Sequence, residues 1–217
     1  MRKPKEKIKL EIKAAYMGQY GTNDEEDTNG EFEVIEEVEE KYARSIGRLV
    51  ISFSALEDRV DVDLATAISD RAYEPGYRII KYLEFRQKID LLRDDYFAFI
   101  KYCLTGKKQS KLLSEIKLIY LKLVELSEFR NIIAHANWQS LDEAGFVRYK
   151  SVENREGLGM NFRKIKITPS IILKFIRQNY AIASQLSSFR DKVWEADNKE
   201  EARRYKKANP RKIKKRI

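Results

Sequence analysis

Between Ile35 and Ala67 an apolar side chain returns every three or four residues: Ile35, Val38, Tyr42, Ile46, Leu49, Phe53, Leu56, Val60, Leu64 and Ala67. A strand would repeat every two residues; this spacing marks one face of an α-helix. At roughly 1.5 Å per residue, the run makes a helix about 50 Å long. Its apolar stripe must be covered by other helices of similar length. Gly47 is a place where it can bend, and Glu74-Pro75-Gly76 reads as the turn that ends it.

The rest of the chain supplies such partners. A second helical stretch covers 78–103, with Ile79, Leu83, Ile89, Leu92, Tyr96, Phe99 and Ile100 at helical spacing. Thr105-Gly106-Lys107-Lys108 breaks the pattern, and Ser110 is placed to cap a third helix reaching about Ala136. Trp138 to Gly145 reads as a loop. Two alternating segments, Phe146–Ser151 and Phe162–Ile167, flank a turn with Gly157 and Gly159 and predict a β-hairpin. Thr168-Pro169 then opens a fourth helix, with Ile172, Phe175, Ile176, Ile182, Leu186, Phe189 and Val193 inward. The expected fold is all-α: an antiparallel bundle of four or five long helices with a small β-hairpin before the last. Three regions are expected: a basic, flexible N-terminal segment (1–30), the bundle (31–197) and a basic C-terminal tail (198–217).

Composition removes several classes of function. No apolar run approaches the roughly 20 residues a membrane helix needs. The start, MRKPKEKIKLEIK, is basic but lacks the apolar stretch of a secretory signal. A cytoplasmic protein is expected. The lone Cys103 excludes an internal disulfide, and one cysteine with one histidine excludes a conventional zinc site within one chain. A carboxylate-held magnesium stays open, but no compact acidic motif announces one, and neither metal nor cofactor is expected. The net charge is +9, unevenly spread. Residues 203–217 hold nine Lys/Arg and no acid, whereas Asp24–Glu40 holds ten acids and no base. The basic tail serves either nucleic-acid affinity or solubility. The acidic block either shields a basic surface on its own chain or is a solvated helix start.

The third helix carries the informative anomaly. Its stripe runs Leu112, Ile116, Ile119, Leu123, Leu126, then Arg130, then Ile133. A guanidinium in an apolar seam is costly unless it is paired or borders a wet cleft. Asn131 and His135 follow, four apart on one side of the helix, and His135 is the only histidine. Arg130 and His135, five apart, differ by about 140° around an ideal helix, so only arginine's length or a loosened helix end lets them share a substrate. The plain alternative is an arginine snorkelling out of the stripe and a histidine favoured by the helix C-terminus.

Ser127-Glu128-Phe129-Arg130-Asn131-Ile132-Ile133-Ala134-His135 resembles the R-N-x-x-A-H signature of HEPN domains, an all-helical family. Phe53-Ser54-Ala55-Leu56-Glu57 resembles the first-helix pattern of prokaryotic members, and Phe85-Arg86-Gln87-Lys88-Ile89-Asp90-Leu91-Leu92 their second helix. The resemblance spans roughly residues 33–195. It implies an RNase site of Arg130, Asn131 and His135, two copies meeting in a symmetric homodimer, and a toxin–antitoxin or phage-defence setting. An antitoxin or other regulatory protein is then a further partner. The toxin subgroup modified by a nucleotidyltransferase has a tyrosine two residues after the histidine; Asn137 stands there, which puts that regulation in doubt.

The chemistry is consistent with this implication. RNA is cut without metal when its 2′-hydroxyl attacks the adjacent phosphate, a base taking the hydroxyl proton and an acid protonating the leaving 5′-oxygen. Histidine, with an unperturbed pKa of about 6.5, serves either role near neutrality. Arginine suits the charge that builds on the phosphoryl oxygens. One histidine cannot be base and acid in one step, which gives a dimer pairing two His135 side chains a mechanistic reason. Glu57 is the expected support of Arg130, with a solvated glutamate as the alternative. Lys88 is a candidate RNA contact, with a plain surface lysine as its alternative. In the hairpin, Arg148, Lys150, Arg163, Lys164 and Lys166 interleave with Phe146, Tyr149 and Phe162, which suits either an RNA-tracking ribbon or a sheet packed on the bundle. The competing functional readings are a non-catalytic helical module that binds RNA or a protein partner, and an adaptor that uses its long first helix.

Overall fold

The computed structural model describes residues 10–17, 28–69, 73–142, 144–153 and 160–208. The fold is all-α, a helical bundle with a small antiparallel sheet. In chain order the elements are β1 (Ile12–Met17), α1 (Thr28–Ile68), α2 (Tyr73–Ile80), α3 (Phe85–Cys103), α4 (Gly106–His135), a 3-10 turn at Trp138–Ser140, β2 (Phe146–Glu153), β3 (Met160–Lys166) and α5 (Pro169–Ala208). Among the described residues no helix is long and apolar enough to cross a membrane.

Two compact units share these elements: Met1–Phe53 with Glu128–Arg177, and Ser54–Ser127 with Gln178–Ile217. In the first, Tyr42, Leu49 and Phe53 of α1, Phe129 and Ile133 of α4, and Ile172, Phe175 and Ile176 of α5 are buried. The Phe129 and Phe175 rings are stacked nearly parallel. The sheet has the order β1-β3-β2, with Val147, Ile165 and Ile167 fully buried at the sheet. Trp138 tilts against Tyr42 and donates its indole N–H to the Ile133 carbonyl at 3.0 Å, satisfying an end group of α4.

In the second unit the stripes read from sequence are the core: Leu56, Val60 and Leu64 of α1; Ile89, Leu92, Tyr96 and Ile100 of α3; Leu112, Ile116, Ile119 and Leu123 of α4; Ile182, Leu186, Phe189 and Val193 of α5. Asp63 is buried among them, its carboxylate 3.3 Å from both Arg59 and Arg190. Ile79 and Phe99, part of the apolar pattern over 78–103, are exposed.

Several expected boundaries are corrected. Glu74-Pro75-Gly76 does not end a helix but lies within α2, because proline is tolerated in a first turn, where its missing N–H costs nothing. Gly76 is buried there, and a Cβ on it would come within 2.6 Å of the Ala65 Cα, so only glycine lets α2 lie this close to α1. The stretch 78–103 is divided between α2 and α3, where the Gln87 side chain accepts the Glu84 backbone N–H at 2.9 Å. Ser110 is not a cap. α4 already starts at Gly106, whose φ of +68° suits glycine, and Gln109 donates to the Leu104 carbonyl at 2.7 Å.

The hairpin is part of a three-stranded sheet. Residues 12–17, expected in a flexible segment, pair with β3 and cover its outer edge. β2 carries an irregularity between Arg148 and Lys150. The expected turn at Gly157 and Gly159 lies outside the described residues. The tail expected from residue 198 continues α5 to Ala208; 209–217 lie outside the described residues.

Candidate functional site

The last two turns of α4 position the nominated residues. From Leu126 the buried seam runs through Phe129 to Ile133, by steps of three and four. Arg130 therefore flanks the seam and does not interrupt it, which corrects the expectation from the stripe. It is half-buried, while Asn131 and His135 are exposed. The Arg130 guanidinium carbon lies 5.2 Å from the centre of the Phe53 ring. This ring presents its electron-rich face to the cation at little desolvation cost. One guanidinium nitrogen donates to Asn131 Oδ1 at 3.0 Å. Phe53 and Asn131 thus hold Arg130 from two directions.

His135 is the final residue of α4, one turn beyond Asn131 on the exposed face. Among the described residues its imidazole has no hydrogen-bond or ion-pair partner, and no contact joins it to Arg130. The three residues form two separate features: an arginine–asparagine pair and, one turn beyond Asn131, an open imidazole. This surface can offer a cation and an amide to a phosphate, with an exposed imidazole further along the helix.

Glu57 and Lys88 pair with each other. Lys88 Nζ lies 3.1 Å from Glu57 Oε1 and 2.9 Å from Asp61 Oδ2. The described ion pair of Glu57 is therefore with Lys88 and not with Arg130. Lys88 is only 6% exposed, so it is a buried counter-ion and not an RNA contact. Burial alone would lower its pKa; the hydrogen bonds and charges of Asp61 and Glu57 outweigh that and hold it above the ordinary lysine value.

The nominated cations of the sheet have mixed settings. Lys164 pairs with Asp142 at 3.4 Å, and Lys166 with Glu11 at 3.6 Å while lying 5.4 Å from the Phe146 ring centre. Arg163 is exposed, and Lys150 lies opposite it in register. Phe146 is buried, so it packs in the core and is closed to base stacking; Tyr149 is half-buried. The side-chain setting of Phe162 lies outside the described features. Pairing of β1 adds a residue that sequence reasoning missed: Lys13, Lys164 and Arg148 occupy one cross-strand row. The signal for Lys13 was the short Ile12–Met17 stretch, too brief to reveal its pairing.

Comparison of the chain with protein-family models, curated proteins and solved structures finds no match.

Proposed function

We propose that this protein is a metal-independent endoribonuclease of HEPN type, working in the cytoplasm as a homodimer and serving as a toxin or anti-phage defence effector. The observation that carries this reading is the Arg130 guanidinium, held between the Phe53 ring and Asn131, one helical turn from the open imidazole of His135. The R-N-x-x-A-H resemblance supplies the reaction class.

In this reading Arg130 binds a phosphoryl oxygen and offsets the charge that grows on it. Asn131 keeps the guanidinium aimed. His135 of one copy takes the 2′-hydroxyl proton as the O2′–P bond forms. The imidazolium of a second copy's His135 gives its proton to O5′ as the P–O5′ bond breaks. The products are a 2′,3′-cyclic phosphate and a 5′-hydroxyl. Arg163, exposed on β3, is the further RNA contact, with Arg148 and Lys164 of the same sheet beside it. The end groups of RNA cut in chelator test this chemistry: cyclic phosphate and 5′-hydroxyl ends are expected, and 5′-phosphate ends contradict it.

One observation favours a second reading, a non-catalytic helical module that binds RNA or a protein partner. Within one chain no contact joins Arg130 to His135. Such a module binds RNA without shortening it, and the same assay separates the two readings.

A further inference from the structure

In the second unit, α3 and α4 border a groove of about 610 Å³. Its lining includes the apolar side chains of Phe97, Leu113 and Leu121 and the cations Arg93, Lys101 and Lys117. Leu121 is 52% exposed, and Leu118, on the same helix, is 59% exposed. Arg93 is matched by Asp94 at 2.8 Å. Among the described residues, Lys101 and Lys117 have no acidic partner. The groove thus combines oily side chains with two cations free to meet an acid.

The aromatic rings are already engaged. Arg93 lies 4.5 Å from the Tyr120 ring centre, and Lys101 lies 6.0 Å from that of Phe97. The Tyr120 hydroxyl donates to Asp90 at 2.7 Å and accepts from Arg86 at 3.0 Å. Base stacking needs free ring faces, so a nucleic acid is the poorer fit. Apolar side chains beside unpaired lysines suit an acidic amphipathic helix, whose apolar residues fill the groove while its carboxylates meet the cations.

The chain contains such a segment. Asp24–Glu40 has ten acids and no base, and from Thr28 it is the start of α1. Phe32, Ile35 and Val38 recur there every three residues among Glu31, Glu33, Glu36, Glu37, Glu39 and Glu40. We infer that the protein self-associates by seating the acidic start of α1 of one copy in the α3–α4 groove of a second copy. This contact is independent of the nuclease reading. It gives the acidic segment a role that catalysis does not use.

The test is sedimentation of the full chain across a concentration series, with two charge-reversed variants. One carries Lys101→Glu and Lys117→Glu; the other carries Glu36→Lys, Glu37→Lys and Glu40→Lys. Each variant alone should associate about tenfold or more weakly than the parent, and mixing the two should restore association. A labelled peptide of residues 28–40 should bind the unaltered full chain and lose binding to the lysine-reversed variant, which keeps the test decisive if the acid-reversed variant misfolds. A parent chain that stays monomeric, association unchanged in both variants, or a peptide that does not bind overturns the inference. So does an RNA oligonucleotide that occupies the groove in preference to the peptide.

Discussion

The guanidinium of Arg130 lies over the ring of Phe53, 5.2 Å from its centre. Phe53 is itself buried, at 3% exposure, so the ring is a fixed platform for the cation. Phe53→Leu keeps most of the volume and removes the ring face. Stability should fall by about 1 kcal/mol in a denaturant titration. Cleavage by the folded variant should fall roughly threefold or more, the size of a lost cation–π contact. An unchanged rate would separate the platform from the site.

Lys88 bridges Glu57 and Asp61 from a nearly buried position. Lys88→Met should destabilise the protein by about 3 kcal/mol at neutral pH, because it strands two carboxylates without their counter-ion. RNA affinity of the folded variant and its salt dependence should not move. A reduced salt slope with unchanged stability would return Lys88 to the RNA contacts.

Much of this fold was legible as periodicity. Leu49, Phe53, Leu56, Val60 and Leu64 are buried as their spacing requires. The misreading at Arg130 has a simple cause: between Leu126 and Ile133, steps of three then four lead through Phe129, while four then three lead through Arg130. Both are regular helical paths, and the burial of Phe129 beside Phe175 selects the first. Strand β1 was hidden because its evidence is pairing with a strand over a hundred residues away. The Lys88 pairing was hidden for the same reason, since partners from another helix leave no trace in local spacing. Arg130, Asn131 and His135 were legible as candidates, and helical spacing already set Arg130 and His135 apart, but the Phe53 ring beside Arg130 was not legible.

Gly76 faces the backbone of Ala65, where a Cβ would come within 2.5 Å of the carbonyl oxygen. Two main chains cannot yield as a flexible side chain could. Gly76→Ala should therefore cost roughly 1–3 kcal/mol and lower the thermal midpoint, although alanine is the better helix former. A stabilised variant would show that α2 packs more loosely.

The Tyr96 hydroxyl is pushed above the ordinary tyrosine range by burial and by the nearby charge of Asp63. Above a pH of about 10 the unfolded tyrosine ionises while the folded one keeps its proton. The folded state then binds more protons, so stability must fall as pH rises. The slope from this group approaches about 1.4 kcal/mol per pH unit. Tyr96→Phe should flatten the decline between about pH 10 and 11.5 by up to that amount. Parallel curves for the two proteins would contradict the assignment.

The nuclease reading meets its most direct test in the cleavage of RNA by the purified protein in chelator, with His135→Ala beside it. His135 is exposed and without partners among the described residues, so the substitution should shift folding stability by no more than about 0.5 kcal/mol. The account predicts cleavage by the parent protein and its loss in the folded variant. Full cleavage by His135→Ala, or none by the parent protein, would contradict it.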